Sequence, residues 1–280
     1  MAFKDLLLIL ITYPKASDPA AIQDAVSFAV YAKARISAAA CVVKVRAAHH
    51  TLSDAFIDIP ALVDSEMEKS SDAAAELIAR FEKLARNAGV YQESIINKCY
   101  GSEAPDLLVR EARLRDLTIL SAVSEDYNYP WYAESIIFGS GRPTLIFPPQ
   151  ATRAFTLYRV VVAWDGSRPA SRAVADALPL LEQAREVQVL TVLKEKELSS
   201  ESHARELRQY LERRGIVAGC DSVDAAGRTI GEVLTSELLT RQADLLIMGA
   251  YGHSRMREFI LGGATRSMLS NPPVPLFLSH

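Results

Sequence analysis

Cysteine is scarce in this 280-residue chain. There are three, Cys41, Cys99 and Cys220, far apart and with no CxxC pair. That spacing excludes a disulfide-built fold and a thiolate metal site. It fits buried, reduced thiols in a cytoplasmic protein. Long apolar runs are missing as well. Leu6 to Ile11 gives only six consecutive apolar residues near the start, too short to span a bilayer and without a signal-peptide pattern. No other run is longer, so no membrane segment is expected. An excess of one charge is also absent: 31 Lys and Arg face 34 Asp and Glu, for a formal net charge of −3. Without a basic patch, a nucleic-acid partner is not expected. Histidine is sparse too, and His49-His50 forms no convincing metal set. No triad, paired-carboxylate site or metal-ligand spacing stands out, so no catalytic and no metal-binding residue is nominated.

What the chain does have is apolar material, 49% of residues, enough for a full core in each of two halves. The halves repeat one plan. "GSEAPDLLVREARLRDLTIL", from Gly101, and "GRTIGEVLTSELLTRQADLLIM", from Gly227, each read as glycine, amphipathic helix, aspartate and apolar strand. Ala104, Leu107, Leu108 and Ala112 share the i, i+3, i+4, i+8 spacing of Ile230, Val233, Leu234 and Leu238, a stripe that packs on a sheet. First strands are expected at Asp5–Thr12 and Tyr158–Trp164, and third strands near Ser94–Cys99 and Cys220–Val223. Second helices are expected over Glu66–Gly89 and Ser200–Gly215. Each half ends in a proline and a short strand, "PTLIF" and "PVPLFL". Alternating strands and helices predict an α/β fold: two similar domains, 1–150 and 156–280, each a five-stranded, mostly parallel, Rossmann-like sheet with helices on both faces.

The stretch "IMGAYGHSRMREFILGGATRSM", Ile247 to Met268, holds four of the thirteen glycines: Gly249, Gly252, Gly262 and Gly263. It follows a fourth strand and precedes a helix, where open α/β sheets bind ligands. Gly249 and Gly252 can offer amides in a concave nest, and Gly262-Gly263 opens a helix whose free N–H groups favour phosphate. The residues alone equally describe two turns around a loop. The pattern is neither GxxxxGK[ST] nor GxGxxG.

The same stretch resembles the end of a universal stress protein domain, whose ATP-binding members show G-x2-G-x9-G-[ST]. The match holds at Gly249, Gly252 and Gly262, and fails at Gly263, where serine or threonine is usual. Thr265 is a substitute hydroxyl. The resemblance extends to "VVVAWDGSRPASRAV", where Asp165 takes the place of the nucleoside-contacting aspartate, beside Ala163 and Trp164. A carboxylate accepts hydrogen bonds from ribose hydroxyls or an adenine amino group; Asp-Gly-Ser is also plain turn chemistry. Val192 matches an apolar residue of the adenine slot, or is ordinary core. Met248 and Ala264 complete the implied set. The resemblance covers both halves. It implies a tandem stress-response protein that binds ATP, alone or with Mg²⁺, in its second domain and acts by binding. It further implies an unidentified protein partner, and pairing of the two domains or a homodimer. Slow ATP hydrolysis in the same pocket is one alternative; a non-nucleotide interaction or small-ligand-binding protein that uses the aromatic half-one loop is the other.

Half one departs from the pattern. "LITYPKAS" has no aspartate at the matching turn, and "LSAVSEDYNYPWYAES" replaces the glycine pair with Ser121 and Ser124. Glu125 and Asp126 add negative charge. A like-charge contact at 4 Å costs about 4 kcal/mol at an effective dielectric of 20. A helix terminus returns roughly 0.3–1 kcal/mol. Phosphate binding is therefore expected to be lost there. The aromatics Tyr127 to Tyr132 either pack inward or serve an apolar ligand or partner. His253, in the glycine loop, reads as a solvated loop residue or a phosphate contact.

Overall fold

The computed structural model describes residues 2–44, 59–122, 129–149, 155–193, 199–251 and 263–280; in the second and sixth helices, side chains are described from 63 and from 203 onward. Half one runs β1 (Asp5–Leu10), α1 (Ala20–Ala32), β2 (Arg35–Lys44), α2 (Ile59–Asn87), β3 (Tyr91–Tyr100), α3 (Ala104–Ala112), β4 (Leu117–Ser121), α4 (Tyr129–Gly139) and β5 (Thr144–Phe147). Half two repeats it: β6 (Arg159–Ala163), α5 (Arg168–Leu181), β7 (Glu186–Leu193), α6 (Ser199–Glu212), β8 (Ala218–Asp224), α7 (Ile230–Thr240), β9 (Leu245–Gly249), α8 (Gly263–Ser270) and β10 (Leu276–Ser279). The first strands end earlier than expected and the third strands run longer. Among the described residues, no helix is long and apolar enough to cross a membrane.

The apolar strands divide their side chains between two cores, because successive residues point to opposite faces. Leu6, Leu8 and Leu10 of β1 join the core under α1, α2, α5 and α6. Leu7, Ile9 and Ile11 join the core under α3, α4, α7 and α8. Val160 and Val162 divide from Val161 in the same way. The shared stripe behaves as its spacing predicts: Ala104, Leu108 and Ala112 are buried, as are Val233, Leu234 and Leu238. Cys41 and Cys99 are buried free thiols and Cys220 is half-buried.

The repeated aspartate has a structural task. Asp116 Oδ2 accepts the amides of Lys4 and Asp5 at 2.8 and 3.0 Å. Asp244 Oδ2 accepts those of Tyr158 and Arg159 at 2.8 and 2.7 Å. Each carboxylate fixes the start of the central strand beside it and so sets the register of the half.

The expectation of two separate five-stranded sheets is corrected. The ten strands form one sheet, ordered β3-β2-β1-β4-β5-β10-β9-β6-β7-β8. Pairing is parallel within each half. At the seam β5 and β10 pair antiparallel, with Phe277 opposite Leu145. The reason is edge satisfaction. Both are short, wholly buried strands, and either left as an edge would strand a row of backbone donors and acceptors. Across the seam, the Tyr251 hydroxyl donates to Glu134 Oε1 at 3.2 Å, and the Phe138 ring lies 4.6 Å from that of Tyr251. Burial pushes the Glu134 carboxyl above its ordinary range, against the pull of the Tyr251 hydrogen bond and the Arg266 charge.

Candidate functional site

In each half the strand order reverses beside the first strand, between β1 and β4 and between β6 and β9. A crevice for ligands opens beyond the carboxyl ends of the strands at such a point. In half two its near wall is the turn from β6 into α5. Ala163 ends β6 and is half-buried. The half-buried Trp164 donates its backbone N–H to the Leu190 carbonyl at 2.9 Å, which ties the turn to β7. Its indole Nε1 is buried with no hydrogen-bond partner among the described residues. Asp165 is exposed, and its Oδ1 accepts the Ser167 amide at 2.9 Å. Gly166 has φ +71°, a conformation that favours glycine. Ser167 caps α5, its Oγ accepting the Ala170 amide at 3.2 Å. Val192 is half-buried on β7 and packs against the second core.

The far wall is the end of β9. Met248 is buried in the core. Gly249 pairs with Ser279 of β10, and a Cβ there would stand 2.3 Å from the Ala170 amide nitrogen and 2.5 Å from the Pro169 carbonyl carbon. The first turn of α5 rests directly on this residue, so packing alone demands glycine at 249. Tyr251 follows with φ 62°, and its amide donates to Thr265 Oγ1 at 3.2 Å. The hydroxyl of this buried threonine therefore holds the strand exit. Gly263 opens α8, is exposed, and has nothing among the described residues within 4 Å of a built Cβ, so none of them explains its missing side chain. Ala264 is half-buried beside it. Gly252, His253 and Gly262 lie outside the described residues.

One neighbour of the site was missed in the sequence. His203 of α6 lies against Gly166: a Cβ on Gly166 would sit 3.1 Å from His203 Nδ1. A lone histidine on a polar helix carries no local signal. Only the packing of α6 on β7 and β8 brings it to the turn.

The matching place in half one is furnished differently. Thr12 Oγ1 donates to the Cys41 carbonyl and lies 2.8 Å from Ser70 Oγ. Ser70 Oγ in turn accepts the Val43 amide at 2.9 Å. These buried hydroxyls tie α2 to the ends of β1 and β2. Ser121 stands at the end of β4 where Gly249 ends β9, and it is buried. A cavity of about 390 Å³ remains, lined among others by Lys15, Ser17, Asp18, Leu77 and Ala122. Ser124, Glu125, Asp126 and Tyr127 lie outside the described residues, as do His49 and His50. Tyr129 and Tyr132 are buried on α4, and Trp131 is 44% exposed.

Residues 157–280 match the model of the Universal stress protein family. None of the curated proteins matches the chain in sequence. Among solved structures, a universal stress protein from Archaeoglobus fulgidus DSM 4304 superposes with a TM-score of 0.68 at 18% identity, over 98% of this chain and 95% of that one. A functionally unknown protein from Pseudomonas aeruginosa PAO1 gives 0.58 at 13% identity, over 99% and 92%. A putative universal stress protein from Pseudomonas aeruginosa UCBPP-PA14 gives 0.57 at 13%, over 99% and 93%. The chain thus has the universal stress protein fold, and the α/β architecture runs through both halves.

Proposed function

We propose that this is a tandem stress-response protein whose second domain, residues 156–280, binds ATP or another adenine nucleotide and signals by occupancy. The observation that carries the reading is the exposed Asp165 carboxylate, held on a tight glycine turn at the switch point of a sheet whose half matches the family. The chemistry of the donor set fits a nucleotide. Asp165 accepts from ribose or adenine donors. The buried Trp164 indole N–H, without a partner among the described residues, sits at the same turn. At the other end, α8 opens at Gly263 with space around it, and its first amides suit a phosphate. Gly252 and Gly262 supply the rest of the motif in sequence. Mg²⁺, where present, would screen the phosphates. Domain 1–150 serves as a paired partner without a nucleotide of its own, because hydroxyls bridge its strand ends and Tyr13-Pro14 stands where half two has Asp165. The sequence offers no evident water-activating base, so hydrolysis is expected to be slow or absent. A cytoplasmic location and an unidentified protein partner complete the reading.

The test is calorimetry on the full chain with ATP and adenosine, backed by mass spectrometry of ligands released from fresh protein. Asp165→Ala is expected to weaken both ligands, since the contact lies at the nucleoside. ATP weakened with adenosine untouched would remove Asp165 from the nucleoside, and no binding by the wild type would remove the function.

A further inference from the structure

We propose that His203 is a specificity-determining residue of the second-domain site, gripping the nucleoside end of the ligand; this rests on the nucleotide reading above. The argument begins with a comparison of α2 and α6. Val90 donates its amide to the Ala85 carbonyl at the end of α2, and Ile216 donates to Leu211 at the end of α6. Counted back from those residues, the inward stripe of α2 is Phe81, Ile78 and Leu77, and that of α6 is Leu207, Ala204 and His203. All are buried apart from His203, which is exposed. Thus the helix position that half one fills with Leu77 carries an imidazole in half two.

That position faces the crevice. In half one, Leu77 lines the cavity of about 390 Å³ together with the β1–α1 turn and Ala122 beyond β4. In half two, the ring of His203 touches the Gly166 turn, next to Asp165. Gly166 leaves room for it: φ +71° and the 3.1 Å approach both disfavour any side chain there. An exposed imidazole at an inward-facing position is costly for packing and useful for recognition. It offers an aromatic face for a base and a nitrogen for a hydrogen bond. Together with Asp165 it forms the nucleoside grip. Among the described residues the phosphate end is less well furnished, since Gly263 has no hydroxyl and that of Thr265 is engaged by the Tyr251 amide. Adenosine is therefore expected to retain much of the affinity of ATP.

The experiment compares the full-length wild type with His203→Leu, which copies the other half, and His203→Phe, which keeps an aromatic face. Calorimetry reads adenosine, ATP and inorganic triphosphate, and thermal unfolding without ligand reads the fold. His203→Leu is expected to weaken adenosine and ATP alike, by about tenfold. It should leave triphosphate unchanged and the unfolding midpoint unchanged or higher. His203→Phe should recover part of the loss. Wild-type binding of ATP and adenosine with no loss in His203→Leu would overturn the role of His203 alone. Loss of ATP only, or of triphosphate, would also overturn it. A wild type that binds neither ATP nor adenosine would overturn the nucleotide reading, and the role of His203 with it.

Discussion

At the end of β6 the chain turns through an exposed aspartate and a positive-φ glycine. At the end of β1 it turns back on itself instead: the Ile11 amide donates to Ser17 Oγ at 2.9 Å, and the Ser17 amide to the Ile11 carbonyl at 2.8 Å. The same contrast appears on the neighbouring strand, Gly249 against Ser121. With glycine, α5 settles onto the end of β9; with serine, α1 packs less closely on β4. The first helices differ too. The buried face of α5 is wholly apolar, Ala170, Ala173, Val174, Ala177, Leu180 and Leu181, whereas α1 buries Asp24. One backbone plan thus carries an exposed aspartate turn in one half, and hydroxyl-bridged strand ends beside a cavity of about 390 Å³ in the other. A fold of this kind fixes where a ligand can sit, and a few side chains decide whether one does.

The strongest way to break the comparison is to remove its steric asymmetry. Gly249→Ala sets a methyl against the backbone of α5 and is expected to destabilise by about 3 kcal/mol, the upper range for overpacking, measured by urea unfolding. An unchanged midpoint would mean that α5 shifts freely and that glycine is not required there. Occupancy comes next. One nucleotide per chain is expected, adding about 2.7 kcal/mol of stability at ligand equal to 100 times Kd. Two equivalents by calorimetry would show that half one also binds.

A third prediction uses pH. Burial, with the Asp18 charge beside it, raises the Asp24 carboxyl to about 7. A carboxyl raised in the folded state binds more protons there than in the unfolded chain. Its contribution therefore favours folding at low pH and is lost as pH rises from about 4 to about 7. Asp24→Asn removes that loss and is expected to raise stability at pH 8 by about 2 kcal/mol, with little gain at pH 4. Equal gains at both pH values would exclude titration of Asp24 as the cause. The smallest effect sharpens the comparison. Gly263→Ser has space for its side chain and restores a hydroxyl at the opening of α8. It should tighten ATP by about 1 kcal/mol, the worth of one hydrogen bond, and leave adenosine unchanged. Tightening of both would place residue 263 away from the phosphates.

Much of the fold was legible locally. Continuous apolar runs such as Leu6 to Ile11 and the stripe Val233, Leu234 and Leu238 marked strands and helix faces, since a strand covered on both faces is apolar throughout and a helix on a sheet buries one stripe. The repeated aspartates marked the repeat before their hydrogen bonds explained it. Of the candidate site, Asp165 and the glycine spacing were legible because turns and close approaches restrict residue type. The reason for Gly249 was not, because its neighbour Ala170 lies 79 residues away in sequence. His203 was invisible for the same reason.

By itself, the sequence determined the alternation of strands and helices, the duplication of that order, and the difference in polar residues between the two halves. These follow from local periodicity and residue chemistry. Tertiary structure alone decided that β5 and β10 join the halves into one sheet, that α5 rests on Gly249, and that His203 meets Gly166 at the crevice. Each is a contact between segments far apart in the chain, set by edge pairing and close packing, and no local spacing encodes it.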